Sequence, residues 1–389
     1  MNTSLKKIIA IVLLVFCAGV AVAEEKNLFV RVAVVRSAED AIVSVRGVYS
    51  VINPMTEEIL SRGRVLKRSR TKSVEGAIHI GRDRYPFKRV RLSSQKDITV
   101  RIGKKDRRYR GDVDIITNKD GTLTVVNTIE LERYIRGVLY HEVSSKWPMQ
   151  ATKAQAVAVR TYVMYQMTTR RNSDYDVTSD IYSQVYGGKS AERYRTNIAT
   201  KETKGEVMIY QGEIVPAYYH SNCAGHTEDA GELWNHDLVP LKGVVCEFDK
   251  KAPNHYWRRN FRSKDVQGKL NSKGYDVGLI EKIEVMKRNV SGRVKTVAIT
   301  DRAGKVINVS GKDFRLIVGP NHIKSNKFDI IMKGYFFDVE GRGWGHGVGM
   351  CQWGANGMAK EGRHYEKILR YYYPEIDIVD YRETKIKGF

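Results

Sequence analysis

The chain has 389 residues, 42% of them hydrophobic and 28% charged. That balance suits a globular protein with real cores and excludes a disordered or membrane-embedded chain. Its formal net charge of +22, from 66 basic and 44 acidic residues, points to anionic partners.

Lys6 and Lys7 open the chain, an uncharged and mostly apolar stretch follows, and Ala21-Val22-Ala23 precedes Glu24-Glu25. A basic start, an apolar middle and a small-x-small end are the parts of a secretory signal over residues 1–23. The alternative is an uncleaved anchor, for which the stretch is short. Phe16 before Cys17 is bulky where a lipoprotein signal takes a small residue. Export places the mature chain in the periplasm, or in the cell wall or at the outer face of the cytoplasmic membrane. Membrane contact is expected only if the signal stays uncleaved. Export also makes nucleic acid a poor reading of the positive charge, so no nucleic-acid partner is expected.

Residues 24–120 read as a basic, β-rich region. Residues 29–35 are strand-like, and residues 41–46 and 98–102 alternate at period two. Ser61 to Arg110 holds 18 Lys/Arg against 4 Asp/Glu, with many arginines at outward strand positions. Such a stripe is either a solvated face or a surface for wall polymers, peptidoglycan carboxylates or lipid head groups. Asn118-Lys119-Asp120-Gly121 signals a hairpin turn, and a strand follows at 123–127.

The pattern then turns helical. Leu131, Tyr134, Ile135, Val138 and Leu139 are spaced for one helix face. Ser144-Ser145-Lys146-Trp147-Pro148 breaks that helix, and Pro148 suits the first turn of the next. The second helix is expected over 149–168, with Ala151, Ala154, Ala158, Tyr162 and Tyr165 on one side. Glu142 therefore sits at a helix–loop–helix junction, which presents a side chain at a fixed place. Residues 214–246 read as polar loop. A β pattern returns over 283–318, with strands at 294–300 and 306–309, and another strand over 336–339. A glycine-rich segment and a helix over about 352–370 follow.

Gly341-Arg342-Gly343-Trp344-Gly345-His346-Gly347-Val348-Gly349-Met350 has too many glycines for a strand or helix interior. It matches neither a dinucleotide fingerprint nor a Walker loop. His346 is either an exposed polar group at a site or the cap of a carbonyl in a tight turn. Cleavage would leave Cys223, Cys246 and Cys351, an odd number, so disulfides are not the framework. Three readings stay open: a Cys223–Cys246 bridge, zinc held by His220, Cys223, His226 and Cys246, or neither.

The glycine-rich segment continues into Gln352-Trp353-Gly354-Ala355, Gly357-Met358-Ala359 and Tyr372-Tyr373-Pro374. Upstream stand Gly137-Val138-Leu139-Tyr140-His141-Glu142-Val143, Trp147-Pro148, and Lys153-Ala154-Gln155-Ala156-Val157-Ala158-Val159-Arg160-Thr161-Tyr162. Between them lie Ser183-Gln184-Val185-Tyr186-Gly187-Gly188 and His220-Ser221-Asn222-Cys223-Ala224-Gly225-His226-Thr227. In this order the blocks resemble the SpoIID/LytB family, stage II sporulation protein D-like lytic transglycosylases and amidase enhancers. The resemblance spans about 125–374, and the region before about 120 matches loosely.

Together, the residues and the resemblance give an α+β protein: a signal peptide (1–23) and the basic β-rich part (24–120) read from the residues, then the SpoIID-like mixed α/β body with a β-rich insertion (121–380) that the resemblance implies. The resemblance carries the functional expectations. It implies cleavage of MurNAc–GlcNAc bonds in peptide-stripped glycan strands, leaving 1,6-anhydro-MurNAc ends, with Glu142 as the catalytic acid. Burial against Val143 and Trp147 is expected to raise its pKa. Gln184, Tyr186, His220, Ser221, His346 and Gln352 are expected around the glycan. Arg160 and Tyr162 are further candidates that equally serve helix packing. The runner-up is a non-catalytic peptidoglycan-binding enhancer of a cell-wall amidase. His141-Glu142-Val143 departs from the family's Ala-Glu-Met-Pro-like context, and Cys351 stands where serine is usual. Some members bind zinc just before the Gln-Val-Tyr segment. Here Tyr182 and Ser183 stand there, so that site, and any cofactor, is expected to be absent.

Overall fold

The structure is a computed structural model describing residues 27–180 and 183–389. The expected signal segment, with Cys17, and Tyr182 lie outside these residues.

Two sheets build the N-terminal part. In the six-stranded sheet, Asp40–Val45 buries Ala41, Val43 and Val45 and turns the residues between them outward, the period-two pattern of a half-covered strand. Ile98–Ile102 pairs beside it, as the alternation predicts. The seven-stranded sheet holds Phe29–Ala38 next to Leu123–Glu130, which pairs in turn with Asp112–Thr117. The last two are joined through the Asn118–Gly121 turn, where the Asn118 N–H donates to the Thr122 carbonyl at 2.8 Å and its own carbonyl accepts the Gly121 N–H at 3.1 Å. The strand after this turn thus shares a sheet and a core with the strands before it. Arginines of the basic stripe are exposed or pair with acids: Arg68 with Asp106, and Arg89 and Arg91 with the fully buried Asp114.

Helix α1, Leu131–Glu142, buries all five residues of its predicted stripe. It ends where Val143 turns extended. Helix α2, Met149–Thr169, begins directly after Pro148. A one-sided apolar face was expected for it, but both sides are buried. Ala156, Val159, Val163 and Met164 join the core of the N-terminal sheets. Ala151, Ala154, Val157 and Ala158 join a second core with the C-terminal helices. The small alanines let packed layers approach from both directions, so α2 is the spine between two cores.

Two further expectations are corrected. The helix read over 352–370 is two helices, Gln352–Lys360 and Tyr365–Tyr372. Gly362 between them has φ +83, a left-handed conformation that stops a helix. The β pattern over 283–318 ends at Ser310, and Gly311–Val318 is helical. Ser310 caps it by accepting the Asp313 N–H at 3.0 Å, and Phe314 and Val318 fall on the buried side. This helix, Ser263–Asn271 and two three-stranded sheets form a third core between Trp257 and Val339. That core is the β-rich insertion, carried between the loops and the glycine-rich segment.

Candidate active site

A cleft of about 410 Å³ opens where α1, the first strand of the polar loop region and the glycine-rich segment meet. Its lining includes Glu142, Tyr162, His220, Ser221, His346 and Gln352 from the sequence-predicted set. Glu142 is half-buried at the last position of α1. Its Oε1 accepts the Val185 N–H at 3.4 Å, and its Oε2 accepts from Gln352 Nε2 at 3.3 Å. Burial raises the carboxyl from 4.5 to about 7, and these two donations, with the Tyr219 hydroxyl, only partly oppose it. Of the neighbours expected to cause this, Val143 is buried, but Trp147 packs edge-to-face on Trp353 at 5.1 Å. Tyr162, Val185 and the ring of Tyr219 line the cleft with the acid instead. No other Asp or Glu lines the cleft among the described residues.

The opposite wall is built by close backbone packing. Tyr219–His220 runs parallel to Met350–Cys351, pairing Tyr219 with Met350 and His220 with Cys351. Gly349 has φ +67, and a Cβ there would lie 2.0 Å from the Tyr218 carbonyl oxygen. A Cβ on Gly345, φ +111, would lie 2.7 Å from the His220 Cβ. Glycine at these positions is what brings His346 and His220 side by side, their rings 5.6 Å apart.

Burial favours the neutral form of both rings. Burial, then the Arg315 charge, pushes His346 down to about 3, and burial, then His346 itself, holds His220 well below its ordinary value. His346 Nε2 donates to the Tyr219 carbonyl at 3.0 Å, and its Nδ1 accepts the Val348 N–H at 3.1 Å. Both readings of this histidine therefore hold: it caps a turn and it lines the cleft. His220 Nδ1 donates to the Val348 carbonyl at 3.1 Å, which leaves Nε2 an acceptor with no protein partner. Trp234 and Trp344, each about two-fifths exposed, line the cleft with Tyr218, and Trp234 packs at a tilt against Tyr218 and His346.

Three predicted residues lie outside this lining. Arg160 is fully buried and grips Glu132 of α1 with two bonds of 2.8 Å, while its Nη1 donates to the Glu206 carbonyl. Tyr186 packs on Tyr109 and Tyr134 and donates to Asn127 at 2.8 Å. Gln184 accepts from the Tyr134 hydroxyl at 2.8 Å. All three hold α1, and so Glu142, in place from behind. Sequence reasoning missed Tyr218, Tyr219, Trp234, Trp344, Ser183 and Val185. Ser183, Val185 and Trp344 stood inside quoted motifs. The paired tyrosines directly before His220 were the available signal for the rest.

Of the four residues weighed as zinc ligands, the structure does not bring the histidines to the cysteines. His220 turns into the cleft and His226 Nδ1 bonds the Thr227 carbonyl. Cys223, Cys246 and Cys351 are free and buried.

A family model described as "Stage II sporulation protein" matches residues 119–210, and a domain of unknown function matches residues 237–349. The latter stretch overlaps the third core. An uncharacterized protein of Brachyspira hyodysenteriae is 36% identical, over 71% of this chain and 73% of the relative. An amidase enhancer of Bacillus subtilis is 27% identical over 64% of this chain but only 40% of its own length. Stage II sporulation protein D of Bacillus subtilis is 32% identical over 64% of this chain and 74% of its own length. On that extent of similarity, together with the matched blocks, the chain belongs to the stage II sporulation protein D family.

Proposed function

We propose that the chain is an exported cell-wall protein that acts as a lytic transglycosylase, cleaving MurNAc–GlcNAc bonds of peptide-stripped glycan strands to 1,6-anhydro-MurNAc ends. The observation that carries this is a lone carboxyl, raised to about 7, in a cleft with no second Asp or Glu among its described lining residues. Glycoside hydrolysis typically needs two carboxylates, one as acid and one for water or as nucleophile. Transglycosylation uses the sugar's own C6 hydroxyl. Protonated Glu142 gives its proton to the leaving glycosidic oxygen as the C1–O bond breaks. The resulting carboxylate then takes the C6 hydroxyl proton as that oxygen bonds to C1, and the acid is restored with no water consumed. A pKa near neutrality keeps both forms accessible.

Around the acid, His220 Nε2 offers an acceptor to a sugar hydroxyl, Ser221 and Gln352 supply further polar groups, and Trp234 and Trp344 offer faces to sugar rings. The second reading, a non-catalytic enhancer of a cell-wall amidase, is favoured by the similarity to an amidase enhancer. Both readings predict glycan binding, and product formation separates them. Amidase-stripped strands incubated with the chain are expected to yield anhydro-ended fragments by mass spectrometry, and Glu142→Ala none. Binding without fragments from either protein would establish the enhancer reading.

A further inference from the structure

Behind the cleft, three thiols and a carboxylate converge. The Sγ atoms of Cys223, Cys246 and Cys351 and one carboxylate oxygen of Asp249 all lie within 4.8 Å of one another. Every one of these residues is buried, with Asp249 1% exposed. Asp249 Oδ2 stands 3.2 Å from Cys223 Sγ and 3.6 Å from Cys351 Sγ. With Zn–S near 2.3 Å and Zn–O near 2.1 Å, the edges of a tetrahedral site are about 3.8 Å for S···S and about 3.6 Å for S···O. The two S···O separations, 3.2 and 3.6 Å, lie close to that edge, and every pair of candidate ligand atoms lies within 4.8 Å.

We propose that these four residues bind one zinc ion in a closed, structural site. Thiolates select zinc over calcium or magnesium, and four protein ligands leave no open position for catalysis. The surroundings are those of a ligand shell. Cys351 Sγ accepts the Cys223 and Gly354 N–H groups at 3.4 and 3.3 Å. Cys246 Sγ faces the Tyr372 hydroxyl at 3.1 Å, and Asp249 Oδ2 accepts the Ala224 N–H at 2.7 Å. Such bonds orient ligands and support their charge. Asp249 Oδ1 has no protein partner although buried, so this carboxylate's charge is poorly compensated, a cost that a cation held by the carboxylate reduces. Three thiolates and a carboxylate carry four negative charges. A divalent ion cancels two. Arg293, whose Nη2 donates to the Cys223 carbonyl at 3.0 Å, and Lys327, which donates to the Ala224 carbonyl at 2.9 Å, supply the other two. A Cys223–Cys246 disulfide would leave the Asp249 carboxylate buried beside the Cys351 thiol with no cation between them. Zinc satisfies all four.

The site joins both strands of the cleft wall. Cys223 follows His220-Ser221, and Cys351 precedes Gln352, which donates to Glu142. Losing the metal is therefore expected to loosen the wall that faces the acid. This inference rests on the cluster and not on the proposed reaction.

The test is metal analysis of the untagged chain by plasma mass spectrometry, with its intact mass and thiol titration. One zinc per chain and three unreactive thiols are expected, with the thiols becoming reactive on chelation. Cys246→Ser is expected to lower zinc retention more than about tenfold. Because that variant can fail to fold, Asp249→Cys serves as the second. Loaded with cobalt, it is expected to show stronger thiolate-to-metal charge-transfer absorption than the parent. An intact mass lower by two hydrogens, or a folded chain that takes up no zinc from solution, would overturn the proposal. A cobalt spectrum identical in the parent and Asp249→Cys would remove Asp249 from the site.

Discussion

Replacing Glu142 by glutamine is expected to separate stability from chemistry. In the folded chain this carboxyl stands at about 7 against 4.5 for the free group. Between those values the folded state keeps a proton that the unfolded chain has released. The stability tied to this group is thus full below pH 4.5 and is lost as pH rises through about 7. At 1.36 kcal/mol per unit the loss approaches about 3 kcal/mol. Glutamine has no proton to lose and escapes that penalty. It keeps one acceptor oxygen and forfeits either the Gln352 or the Val185 bond. Both are long, at 3.3 and 3.4 Å, so the forfeit is about 1 kcal/mol. Glu142→Gln is therefore expected to be slightly less stable than the parent near pH 4.5 and about 2 kcal/mol more stable near pH 8. Urea unfolding at those two values and one between them measures the difference. A difference that does not change with pH, or a parent more stable at the alkaline end, would refute the buried-acid account whatever the activity shows. Glycan cleavage by the same variant is expected to fall at least about a hundredfold.

The other expectations follow from the same geometry. kcat/KM for stripped glycan should fall as pH rises through about 7, since Glu142 must carry its proton; a pH–rate profile flat across that range contradicts the assignment. Gln352→Leu removes a donor that favours the carboxylate, so that falling limb should move to higher pH, and a downward move would argue against the bond. Trp344→Ala should raise KM about fivefold with kcat little changed, for the loss of about 1 kcal/mol of ring stacking; a loss confined to kcat would place the indole elsewhere in the reaction. Arg160→Ala leaves the Glu132 carboxylate buried without its partner, a cost of about 3–5 kcal/mol in urea unfolding. A stable Arg160→Ala protein with altered KM would instead return Arg160 to substrate binding.

Short-range patterns were legible in the sequence. The strands at 41–46 and 98–102, the stripe of α1 and the stop before Pro148 each follow from a few neighbouring residues, and so did the placement of Glu142 at a junction. What required the fold was any property set by partners distant in sequence. Ala156 and Val159 face one core while Ala154 and Ala158 face another, and helical spacing cannot reveal that both sides of α2 are covered. Arg160 and Tyr186 stand in blocks shared with the family, yet their side chains brace α1. Adjacency in a motif does not distinguish a wall of the cleft from its support. The cysteines make the same point. Spacing drew Cys223 and Cys246 toward His220 and His226, whereas the chain turns both histidines away and brings in Cys351 from 102 positions beyond Asp249.

The position of Glu142 explains why one carboxyl suffices for both halves of the proposed reaction. An acid that must first give and then recover a proton works best when its two forms differ little in free energy at the working pH. Burial alone would hold it neutral and make it a poor donor. Strong hydrogen bonds to the carboxylate would return it to the ordinary range and leave it ionised. Here Val185 donates at 3.4 Å and Gln352, directly after the glycine-rich segment, at 3.3 Å, and the Tyr219 hydroxyl is a third group that favours the carboxylate. The opposition from each is weak, and burial prevails. Because Gln352 also reaches Gln155 of α2 at 3.4 Å, its contact with the acid is set by how the C-terminal wall seats against the spine helix. The acid strength of Glu142 is thus a property of the junction between two cores, and the packing around Cys351, one residue before Gln352, belongs to its control.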